Sequence, residues 1–193
     1  MRALTLLFAL AALPALAQEA DCTDIGTLTA EVNGNPPRDW VTRDCSLGAR
    51  DLSAFVSVAS NTSFVGVTGW LPGLDTNEGR LALFARMPAL WQPATGPLEN
   101  VEIVLLMEDD FDGPRYVSGT DARVVLERVD WPREVGDWET RMEGNFSATL
   151  CLAPDSETPA DPGTCLPISG SFDSLAAISL PYAWFRDGVW PTP

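Results

Sequence analysis

The chain has 193 residues, with 27 Asp and Glu against 12 basic residues and a formal charge of −15; it contains no His, and every basic residue is Arg. The missing His and Lys exclude Ser-His-Asp and Cys-His nucleophile systems, His-ligated zinc, Schiff-base chemistry and the phosphate-binding lysine of a Walker-A loop. The negative charge repels phosphate backbones and anionic lipid, so nucleic acid is not an expected partner, and the chemistry left is that of carboxylates, hydroxyls, Tyr, Arg and backbone.

Residues 1–17, MRALTLLFALAALPALA, carry an early charge at Arg2, an apolar run and a small-x-small ending at Ala15-Leu16-Ala17, the pattern of a secretory signal peptide. The apolar run is shorter than the roughly 20 residues of a spanning helix and no later stretch qualifies, so no membrane anchor is expected. The expected location is the periplasm or the extracellular space. The leader and the all-Arg basic set read as bacterial, and residues 18–193 read as one exported β-rich domain.

Short apolar or alternating runs follow at Leu28 to Val32, Phe64 to Trp70, Arg80 to Ala85, Val101 to Met107 and Arg123 to Val129, separated by Gly, Pro, Asn and Asp. Ser46 to Ser57 is ambiguous. Ala49, Leu52, Phe55 and Val56 could share a helix face, while Phe55 to Ala59 could begin a strand. Further on, Phe146, Ala148, Leu150 and Leu152 alternate with polar residues, as do Leu166, Ile168 and Phe172, so both segments read as half-buried strands. Gly144-Asn145-Phe146 and Gly170-Ser171-Phe172 are alike, as two facing strands would produce. Ser174 to Ser179 reads as one helical turn. The aromatic tail with Tyr182, Trp184, Phe185 and Trp190 is expected to pack back on the sheet. Many short strands with frequent turn signals predict an all-β fold, a single-domain antiparallel β-sandwich or barrel-like structure with a disulfide-stapled C-terminal hairpin.

Four cysteines in an exported chain favour two disulfides. Placing Cys151 opposite Cys165 in an antiparallel pair sets Leu150 against Leu166 and Ala148 against Ile168, so one face becomes apolar. Thr149 with Pro167 and Ser147 with Ser169 then share the polar face with the disulfide. A slip of one residue would mix the faces, so cysteine pairing and hydrophobic pattern specify the same register. The bridge belongs at a non-hydrogen-bonded pair, and Pro167, two residues on, then suggests an edge strand. The tip from Ala153 to Thr164 is expected to be a long tethered loop, and Cys22 is left to pair with Cys45.

Glu108, Asp110 and Asp112 alternate before Gly113 and resemble the first half of a calcium loop, so Ca²⁺ is the one cofactor considered. Counting from Glu108, the twelfth position is Gly119 in place of a bidentate Glu, which fails the EF-hand test, and crowded carboxylates on a turn more often face water. Carboxylate-only glycoside hydrolysis stays open chemically, with Glu127, Asp130, Glu134, Asp137, Glu139 and Glu143 as candidates. Four of the seven tryptophans, Trp70, Trp91, Trp131 and Trp190, lie within two residues before a proline, which places them where strands leave the sheet. There they could bind a ligand or cap the ends of the core. The leading expectation is a non-catalytic exported β-domain with a binding or structural role in the cell envelope, its partner a protein or glycan. The alternatives are a carboxylate-dependent polysaccharide hydrolase and a calcium-stabilised adhesion-like module.

Overall fold

The computed structural model describes residues 22–45, 52–74, 76–130 and 139–181, and among them every regular element is a strand. In chain order these are β1 (Thr23–Val32), β2 (Arg38–Asp44), β3 (Ala54–Ser57), β4 (Ser63–Gly69), β5 (Leu81–Met87), β6 (Gly96–Pro97), β7 (Val101–Leu106), β8 (Arg115–Ser118), β9 (Arg123–Val129), β10 (Glu139–Ala153) and β11 (Asp161–Ser179). The signal-peptide reading and the packing expected of residues 182–193 lie outside the described residues.

Following hydrogen-bonded neighbours from β11 through β3, β4, β5, β7, β8 and β10 leads back to β11, so the single large sheet closes into a barrel-like ring. The two long strands make closure practicable because each serves two partners along one edge. β11 pairs with β1 over Ile168 to Ser174 and then, in parallel, with β3 over Ala177 to Ser179. β10 pairs with β9 over Met142 to Ser147 and then with β8 over Leu150 to Ala153. β2 extends from β1 and touches the end of β4, where Val41 and Trp70 exchange backbone hydrogen bonds of 2.8 and 2.9 Å.

The β10–β11 ladder sets Cys151 opposite Cys165, Leu150 opposite Leu166 and Ala148 opposite Ile168, as the apolar pattern requires. Disulfides join Cys22 to Cys45 and Cys151 to Cys165, an oxidised state suited to a non-cytoplasmic compartment. In the same ladder Gly144 faces Phe172, and Phe146 faces Gly170. Each phenyl ring covers its opposing glycine: a Cβ on Gly144 would lie 2.6 Å from Phe172 Cζ, and one on Gly170 would lie 2.8 Å from Phe146 Cζ.

Three expectations need correction. β11 is not an edge strand, because β1 covers the side away from β10. Pro167 is nevertheless tolerated: it occupies the last rung, where its carbonyl accepts a 2.8 Å bond from Asn33 and only the return donor is missing. Ser174 to Ser179 forms no helical turn; Ser174, Ala176 and Ile178 are buried in alternation as β11 continues through them. The tip between β10 and β11 is also shorter than Ala153 to Thr164, because the strands extend to Ala153 and from Asp161.

Inward-facing residues fill the barrel. Leu28, Val56, Leu81, Ile103, Leu126, Met142 and Leu150 are fully buried, and Trp40, Phe146 and Phe172 nearly so. Thr42 and Ser174, also inside, share a 2.7 Å hydrogen bond between their hydroxyls, which offsets the cost of burying them. Among the described residues no helix is long and apolar enough to cross a membrane.

Candidate functional site

A cleft of about 690 Å³ opens at one end of the barrel, where β1, β4 and β7 finish and β2 and β5 begin. Its size is that of a small-molecule site, and a barrel mouth is a common place for one. After β1 the chain turns at Asn33 and Gly34, both in the left-handed region with φ of 54° and 71°. Asn35 closes this turn on the Val32 carbonyl through its backbone N–H and its side-chain amide. The turn delivers Pro36 and Pro37 to the rim, and Arg38 and Trp40 follow on β2.

Across the cleft, Leu71 comes from the end of β4 and Glu78 and Gly79 from the segment before β5; Leu105 and Met107 come from the end of β7. The two sides are tied by the Trp40 indole, whose Nε1 donates to the Gly79 carbonyl at 2.7 Å. Gly79 has φ of 69°, and a Cβ there would lie 2.6 Å from Leu71 Cδ1, so both conformation and space call for glycine. The lining is mostly aliphatic and proline, with Asn35, Arg38 and Glu78 as its polar side chains.

Beside this cleft stands a cluster on the outer rim. The Arg80 guanidinium lies 4.0 Å from the Phe111 ring centroid and 5.9 Å from that of Trp70, and Arg43 is also 5.9 Å from Trp70. Burial pushes the Arg80 pKa down, and its Nε is buried without a hydrogen-bond partner among the described residues. Trp70 is therefore half-buried under two cations. Trp91 is also half-buried but follows β5, at the opposite end of the barrel, with its backbone N–H shared between Pro88 O at 3.2 Å and Ser63 Oγ at 3.3 Å. The structure does not bring these two indoles together; Trp131 and Trp190 lie outside the described residues.

In the acidic turn, the carboxylates point to separate local partners. Asp109 accepts from the Asn77 backbone at 2.5 Å, Asp110 from the Asp112 backbone at 2.9 Å, and Asp112 from the Ser156 hydroxyl at 2.9 Å. Among the described residues no three Asp, Glu or Cys side chains are grouped to hold a metal ion, so Glu108, Asp110 and Asp112 are not assembled as a ligand set. Through the Asn77–Asp109 bond the turn also holds Asn77 in place. A nearby carboxylate, Asp155, has its pKa lowered by hydrogen bonds from the Thr158 and Glu157 backbone and the Thr158 hydroxyl.

The carboxylates considered for hydrolysis stand on the outer face of β9, β10 and β11. Arg128 grips Asp130 with two bonds of 2.9 and 2.7 Å and reaches Glu143 at 3.0 Å. Arg141 bonds Glu143 at 3.2 Å and Asp173 at 2.5 Å, while Glu127 accepts from Asn145 at 2.9 Å. These hydrogen bonds, led by that to Asp130, raise the Arg128 pKa further. Glu139 is exposed, and Glu134 and Asp137 lie outside the described residues. The described pairs form a charge ladder across the outer wall of the barrel.

Sequence reasoning missed the cleft. Its lining comes from the ends of five strands, with β1 and β2 brought against β4 and β5 by the Val41–Trp70 and Trp40–Gly79 contacts, and the local signal, Pro36-Pro37 between two strands, reads simply as a turn. In comparisons with family models, curated proteins and solved structures, no match was found.

Proposed function

We propose that this is a non-catalytic exported binding domain whose ligand site is the barrel-end cleft. The observation that carries the reading is the cleft itself: an aliphatic wall with few polar groups, open to solvent, on a barrel whose interior is otherwise filled. Two disulfides and the leader-like residues 1–17 support export to the periplasm or beyond. With only Asn35, Arg38 and Glu78 to offer side-chain hydrogen bonds, the lining suits an apolar ligand, or an apolar segment of a protein partner, better than a hydroxyl-rich glycan.

A neutral apolar dye, N-phenylnaphthylamine, tests this directly. Saturable fluorescence enhancement is expected with the mature chain, and Val32→Trp, which places an indole in the cleft, should abolish most of it. Absence of saturable binding, or equal binding by Val32→Trp, overturns the cleft as the ligand site.

A further inference from the structure

We propose that the ligand of this cleft is an aliphatic carboxylate and that Arg38 binds its head group. The inference rests on the cleft reading and adds the chemical class of the ligand. Arg38 opens β2 and lies opposite Ala30 in the β1–β2 ladder. Ala30 is buried, as are Trp40 and Thr42, which follow Arg38 at intervals of two. Side chains two apart on a strand share a face, so Arg38 continues the inward-facing row to the open end of the barrel. Its neighbour Asp39 belongs to the other face, where it accepts a 2.6 Å bond from the Thr29 hydroxyl.

Arg38 is the one cation in the cleft lining, and among the described residues no ion pair engages it, in a chain with 27 acidic residues. A guanidinium offers a planar fork that matches a carboxylate with two parallel hydrogen bonds. Arg38 is exposed at the mouth of the cleft, so water screens part of that attraction while the aliphatic walls limit the screening on the cleft side. Glu78, the one anion in the lining, repels a carboxylate from the segment before β5. The head group is thereby directed to Arg38, and the chain to Val32, Pro37, Leu71, Leu105 and Met107.

Displacement of N-phenylnaphthylamine by decanoate and by decanol, which share a chain and differ in charge, tests the assignment. Decanoate is expected to displace the dye at about tenfold lower concentration than decanol, the effect of one charge-assisted hydrogen-bonded pair. Arg38→Gln, checked for fold by far-ultraviolet circular dichroism, should bring decanoate to near parity with decanol. Equal displacement by the two probes, no displacement by either, or a decanoate preference that survives Arg38→Gln overturns the inference while dye binding keeps the cleft reading. Failure of the dye to bind overturns the cleft reading itself.

Discussion

A Cβ on Gly170 would stand 2.1 Å from the Thr29 carbonyl oxygen and 2.9 Å from the Ala30 Cα, both backbone atoms of β1. Phe146 covers the same spot from β10, so glycine is the residue that lets a phenyl ring and a neighbouring strand close on β11 together. The expected outcome of Gly170→Ala is a loss of about 2–3 kcal/mol or more in urea-induced unfolding, because backbone must move to admit the methyl group. Gly34→Ala is the contrast: nothing lies within 4 Å, but φ of 71° costs an L-residue only about 1–2 kcal/mol. Equal losses in the two variants would show that β1 yields more easily than its packing implies. The glycine–phenylalanine likeness of the two strands was visible in the sequence; the mutual covering depends on both lying in one register against a third strand.

Among the elements, the β10–β11 hairpin was the most legible and β2 the least. Alternation over Phe146 to Leu152 and Leu166 to Phe172 leaves one register that buries a continuous apolar face, and the cysteines agree with it. In β2, Trp40 and Thr42 both face the core while Arg38, Asp39, Arg43 and Asp44 surround them, so burial there answers to tertiary neighbours and leaves little apolar rhythm to read. The Cys151–Cys165 bridge closes a loop with a sequence separation of 14, worth about 3 kcal/mol of denatured-chain entropy. A Cys151→Ser, Cys165→Ser double variant is therefore expected to lose about that much stability yet keep its strand content, because the apolar face still specifies register. Loss of β-structure by circular dichroism would instead make the disulfide the determinant of the pairing.

For the whole molecule, two features act together: a sheet that closes through contacts between distant parts of the chain, and a formal charge of −15. The ladder of Arg128, Arg141, Asp130, Glu143 and Asp173 offsets repulsion locally on one wall, while most carboxylates have no such partner among the described residues. Self-repulsion of this size opposes the compact state and is relieved by salt. Raising NaCl from about 10 mM to about 100 mM shortens the screening length from about 30 Å to about 10 Å. At pH 7 the midpoint of thermal unfolding should then rise, by about 2–4 °C for each kcal/mol relieved. Near the sequence pI of 4.1 the rise should largely vanish. A midpoint indifferent to salt at pH 7 would mean that the folded charges are already balanced by their placement.

The sequence by itself determined the all-β class, the oxidised cysteine pairing and the register of the last two strands, because period-two alternation and turn residues act over a few neighbours. It also excluded His- and Lys-dependent chemistry through composition. Closure of the sheet, the loss of an edge at β11 and the separation of Trp70 from Trp91 to opposite ends were decided only by tertiary structure. So was the cleft, since Val32, Arg38, Leu71, Leu105 and Met107 come from segments far apart in the chain and meet at one rim. No local pattern carries that meeting, because it follows from long-range contacts, Val41 with Trp70 and Trp40 with Gly79, that hold these strand ends on the same side.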